Sequence, residues 1–183
     1  MSRLKSPPLA WLTSIWLVLA LPSASLADPS RAPTSIEADA RVFAARFIDD
    51  YLAASNAPPG DGLAAVRARL TPELSQALED DERAQQARPD DLVGLDWDPF
   101  FWAQDTPTAV TVGPVHCSHG RCAVTLNGTF DLETRALPLS HLLLRPSSRG
   151  FRVHDVRDPA GQGLLDALRH FQLERAHDAP PRR

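Results

Sequence analysis

The chain holds one lysine, Lys5, and one methionine, Met1. Both lie in a segment that reads as a secretory signal. Arg3 and Lys5 supply the positive start, Leu9–Leu21 is apolar, and Ser25-Leu26-Ala27 offers small residues for cleavage before Asp28. Once processed after Ala27, the chain is expected to contain neither lysine nor methionine, which excludes lysine Schiff-base chemistry. The apolar stretch falls short of the ~20 residues a bilayer span needs, so no transmembrane span is expected to remain after cleavage. No cysteine directly follows the signal to carry a lipid. Basic charge is also scarce: Lys and Arg number 19 against 23 Asp and Glu, a net charge of −4. A phosphate-backbone binder needs clustered Lys and Arg, so no nucleic acid partner is expected. There is no G-x-S-x-G, H-E-x-x-H, P-loop or dinucleotide-binding glycine pattern, and no cofactor is expected.

What is present organises into one domain. Asp28–Pro33 is a polar lead, expected to be flexible. Thr34 with Glu37 forms a capping box, and Ile36, Ala40, Phe43, Phe47, Ile48, Tyr51 and Leu52 recur at helical spacing. That predicts a helix over Ser35–Ala54. Pro58, Pro59, Gly60 and Gly62 make a loop, and Leu63–Leu70 a short helix. Thr71-Pro72 restarts a helix that runs to about Ala87, with Pro at its first position. Period-two alternation then predicts strands over Ala109–Val115, Arg121–Phe130, Leu137–Arg145 and Phe151–Val156. A last helical stripe covers Leu164–Glu174, and 177–183 reads as a disordered tail. Helices segregated from a run of strands describe an α+β fold with a four-stranded antiparallel sheet over 34–176.

Three features are candidates for function. Cys117 and Cys122 flank a tight turn, and in an oxidising compartment such a pair is normally a disulfide. The alternatives are a metal site using His116, Cys117, His119 and Cys122, or a redox dithiol. Ligands crowded on one hairpin seldom converge on a metal, and a redox pair is usually C-x-x-C.

The second candidate is the connector Pro89–Thr106, where both tryptophans outside the signal, Trp97 and Trp102, sit among acidic residues. Its aromatics either plug one end of the core or form a binding rim. The candidate contact residues are Trp97, Asp98, Phe100, Phe101, Trp102, Gln104 and Asp105. Asp96 and Asp98 lack the spacing of a calcium loop, and no metal is assigned.

The third is a cross-strand pair of His141 and Asp155, the best general acid–base candidate. The neighbouring His154 and Asp155 point to opposite faces of a regular strand.

Several segments together resemble a bacterial secreted domain-of-unknown-function family that includes YbjP-type envelope lipoproteins. They are Phe47-Ile48-Asp49-Asp50-Tyr51-Leu52, Leu70-Thr71-Pro72-Glu73-Leu74, Asp98-Pro99-Phe100 with Ala103-Gln104-Asp105, Gly150-Phe151-Arg152-Val153-His154-Asp155-Val156, and Leu164-Leu165-Asp166-Ala167-Leu168. They span roughly residues 36–170. The resemblance implies a cystatin-like cone, a curved antiparallel sheet wrapped by helices, located in the envelope with no established catalysis. This chain lacks the lipoproteins' anchoring cysteine. The expectation is a periplasmic or secreted, non-catalytic binding or accessory module whose partner is an envelope protein or a small ligand. The alternatives are a small pocket enzyme using the Asp/His pair, or an immunity-type inhibitor of a periplasmic toxin.

Overall fold

Residues 34–89, 93–131 and 135–178 are described in a computed structural model. The expected signal at 1–27, the lead at 28–33 and residues 179–183 lie outside them. The described residues fall in one unit, Pro33–Arg183.

The elements are α1 (Ser35–Asn56), α2 (Gly62–Val66) continued by a 3-10 turn over Arg67–Arg69, α3 (Pro72–Ala87), β1 (Ala109–Ser118), β2 (Arg121–Thr129), β3 (Leu137–Ser147), β4 (Gly150–Arg157) and α4 (Leu164–Asp178). The fold is α+β. The sheet is antiparallel in the order β1-β2-β3-β4.

Local chemistry explains each helix start. Thr34 and Glu37 form the expected reciprocal capping box at α1. Asp61 caps α2 by accepting from the Ala64 amide at 2.8 Å. Thr71 caps α3, with Pro72 in its first turn. α1 buries Ala40, Ala44, Phe47, Ile48 and Tyr51 against one face of the sheet. That face presents Val124, Leu126, Leu142, Leu144, Val153 and Val156, each 0–1% exposed. Burying a side chain of this size stabilises the fold by about 1.5–3 kcal/mol. Beyond β4, Thr71 donates its amide to the Val153 carbonyl at 2.8 Å, which seats the start of α3 on that strand.

Two observations correct the sequence reading. α4 continues to Asp178, so His177 and Asp178 belong to a helix rather than to a tail. An ion pair from Arg175 to α3 fastens that last stretch. In addition, β4 does not alternate throughout. Its register against β3 shifts between Leu143↔Asp155 and Leu144↔Val153, so one extra residue forms a bulge. Asp155 and Val156 are consequently buried in succession.

Candidate functional site

The connector between α3 and β1 crosses one end of the core. Asp98 organises it. One carboxylate oxygen accepts from the Phe100 and Phe101 amides at 2.8 and 3.0 Å, and the other from the Tyr51 hydroxyl at 2.7 Å. Burial pushes the Asp98 carboxyl above its ordinary pKa, against the pull of the Tyr51 and backbone hydrogen bonds. Burial, and then the Asp98 charge, drive the Tyr51 hydroxyl upward as well.

This turn drives both phenylalanines inward. Phe100 packs edge-on against Phe47 and Tyr51, with ring centroids 5.0 and 4.8 Å apart. Ser140 on β3 donates its hydroxyl to the Phe100 carbonyl at 2.6 Å. Phe100 and Phe101 are 0% and 1% exposed, so neither belongs to a contact surface, and Asp98 is committed to the turn. The physical reason is that a chain reversal pinned by three hydrogen bonds leaves its bulky apolar pair facing the core.

Trp97 and Trp102 are half-buried and stack at 5.6 Å, and Trp97 also meets Phe171 of α4 at 6.0 Å. Trp102 sits at φ 51. Gln104 and Asp105 are exposed, and Gln104 donates to Asp96 at 3.4 Å. The segment is therefore a plug with a short tryptophan-flanked rim.

The expected acid–base pair is not assembled. His141 lies opposite Arg157 in the ladder, and its ring meets the Thr125 hydroxyl at 3.2 Å. Asp155 instead accepts from its neighbour Val156 at 2.9 Å and from the Leu165 amide at 3.0 Å. It thereby serves the first turn of α4, whose open N–H groups need an acceptor. In the ladder Asp155 stands opposite Leu143, diagonal to His141.

Cys117 and Cys122 are bonded as a disulfide and lie directly opposite each other in the ladder. His119 and Gly120 turn the hairpin at φ 50 and 72, the pattern of a two-residue type I′ loop. The bonded sulfurs leave no thiolate for a metal. Among the described residues, no group of His, Cys, Asp and Glu is arranged to hold a metal ion.

Two arrangements were not anticipated from the sequence. The first is Asp81 of α3, 2% exposed. It pairs with Arg175 of α4 at 2.7 Å and accepts from the Leu95 amide and Gln85 at 3.0 Å each. Gly94 stands against it at φ +100, where a Cβ would collide with the carboxylate. The signal available was a carboxylate in line with Leu74 and Leu78 on the buried stripe of α3.

The second is a groove of about 320 Å³ on the sheet face opposite α1, where His116, Arg121, Leu143, Arg145, His154 and Arg157 meet. Ala123 and Leu143, paired in the ladder, form its floor. Asp155 also borders it, with one carboxylate oxygen already taken by backbone amides. The buried Nε of Arg145 and Nδ1 of His154 have no hydrogen-bond partner among the described residues. Burial, followed by the Arg145 charge, holds the His154 imidazole below its ordinary pKa.

No family model, curated protein or solved structure matches this chain. Its function must be read from the site.

Proposed function

We propose that this protein is a binding module of the bacterial envelope, without chemistry of its own, that works from the open face of its sheet. The observation that carries the reading is the groove between His116, Arg121, Arg145, His154 and Arg157. Its three arginines form no ion pair among the described residues. A pocket enzyme built on His141 and Asp155 loses its support, because one ring is held by Thr125 and the other side chain serves α4.

An envelope location, periplasmic or secreted, is supported by the disulfide, which persists in oxidising compartments, and by the signal pattern in the sequence. No helix among the described residues is long and apolar enough to cross a membrane. Membership of the family that includes YbjP-type lipoproteins, and a cystatin-like cone, belong to the same proposal. The helix-then-meander order supports the fold part of it.

The test is native mass spectrometry of the protein recovered from the periplasmic and secreted fractions of its host, beside an Arg121→Gln/Arg145→Gln variant. The reading expects an adduct on the wild type that the variant loses. A wild type that carries no adduct in either fraction, or that converts the molecule it carries, overturns it.

A further inference from the structure

The open face crowds like charges in a chain that is acidic as a whole. Arg121 lies beside Cys122 at the end of β2, and Arg145 lies beside Leu144 on β3; Cys122 and Leu144 are ladder partners. Arg145 in turn lies opposite Arg152. Arg157 and His116 stand on the flanking strands, and the bulge delivers His154 from β4. Like charges on neighbouring strands destabilise a sheet. Several arginines elsewhere are neutralised: Arg67 by Glu79 and Glu82, Arg69 by Asp50, Arg169 by Glu73 and Asp166, and Arg175 by Asp81. Arg121, Arg145 and Arg157 gather around one groove without an ion pair among the described residues.

We infer that the groove binds the phosphomonoester group of a small, partly apolar molecule, an inference that rests on the binding-module reading. Guanidinium forks match phosphate oxygens with paired, charge-assisted hydrogen bonds. A phosphomonoester brings close to two negative charges and three acceptor oxygens, which suits several converging cations better than the single charge of a carboxylate. The volume of about 320 Å³ lies at the small end of the range for small-molecule sites. The Ala123 and Leu143 floor gives the organic part of the ligand an apolar seat. A polynucleotide needs a basic track longer than one groove, and the net charge of −4 opposes it beyond the groove.

The test is calorimetric titration of the purified, disulfide-bonded protein with phenyl phosphate, inorganic phosphate and benzoate. It is paired with flotation on phosphatidic-acid vesicles. Phenyl phosphate is expected to bind saturably and more tightly than either benzoate or inorganic phosphate. Arg121→Gln and Arg145→Gln are each expected to weaken it by about tenfold or more. Arg149→Gln, outside the groove, leaves it unchanged, and thermal melts verify that each variant is folded.

The inference is overturned if phenyl phosphate shows no saturable binding up to about 10 mM, or if folded Arg121 and Arg145 variants bind as the wild type does. Binding to vesicles without binding to the soluble ester also overturns it, since that assigns the groove to a lipid surface. These failures strike the phosphate assignment alone where a mass adduct is still lost from the Arg121→Gln/Arg145→Gln variant. The absence of any adduct fells the binding module as well.

Discussion

The Tyr51 hydroxyl of α1 donates to the Asp98 carboxylate of the connector at 2.7 Å, joining residues 47 positions apart in sequence. The same carboxylate receives two backbone amides. Replacing Asp98 with Ala strands all three donors, and net losses of about 0.5–1.5 kcal/mol per hydrogen bond predict a total near ~2–4 kcal/mol. Urea denaturation checks this.

Asp98→Asn keeps the shape and removes the charge. Burial holds the folded Asp98 carboxyl above its ordinary range, so in that window the folded state holds the proton more tightly than the unfolded state. Its contribution to stability is therefore present at low pH and is lost as pH rises through the folded value. The Asn variant is expected to gain on the wild type as pH rises from about 4 toward neutrality. A difference that stays flat with pH contradicts this.

The Asp81–Arg175 pair is almost fully buried, with side chains 3% and 13% exposed. Removing one buried partner leaves an uncompensated charge, so Arg175→Leu should cost about 3–5 kcal/mol. The double variant Asp81→Leu/Arg175→Leu should cost less than the sum of the two single changes. Equilibrium unfolding in a double-mutant cycle measures the coupling. Gly94→Ala should also destabilise, because it combines a left-handed backbone with a collision against Asp81.

His154 carries a depressed pKa, chiefly through burial and then through Arg145, with Arg121 adding to the effect and Glu73 and Asp155 opposing it. The unfolded histidine takes up its proton first as pH falls, so the folded state loses stability on acidification below the ordinary histidine range. His154→Gln should flatten that part of the profile. Thermal melts across pH 5–8 are the measurement, and an unchanged slope rules the effect out.

The Cys117–Cys122 bond closes a loop spanning a sequence separation of 5. Loop-closure entropy for so short a ring amounts to only about 2 kcal/mol. Cys117→Ser/Cys122→Ser is thus expected to lower the melting temperature while leaving a folded protein, visible as retained near-ultraviolet circular dichroism. Global unfolding would show that the hairpin depends on the bond far more than chain entropy allows.

The parts of the fold written locally were legible. Thr34 and Glu37, Thr71 with Pro72, and the alternating strands place their elements within a few residues of where they lie. The His119-Gly120 turn was placed in the same way. The interior direction of Phe100 and Phe101 was open until Tyr51 and Ser140, both remote in sequence, were brought against the connector. His141 and Asp155 were read as a possible cross-strand pair, but their register, opposite Arg157 and Leu143, depends on a bulge that carries no local signature. Asp81 could be seen on an apolar stripe, but not its partner 94 positions away. The groove was the least legible feature, because its arginines and histidines come from four strands and only the register gathers them.

The added residue in β4 sorts two neighbours into different trades. His154 is left to the outer world, and Asp155 is left to hold a helix in place. An in-frame loss of the His154 codon would restore a regular ladder with Asp155 still opposite Leu143. The helix would keep its acceptor, and the groove would give up one basic side chain. The added residue thus belongs to the open face rather than to the helix start, which makes the length of this strand, more than any one side chain, the trait to follow as the sequence diverges.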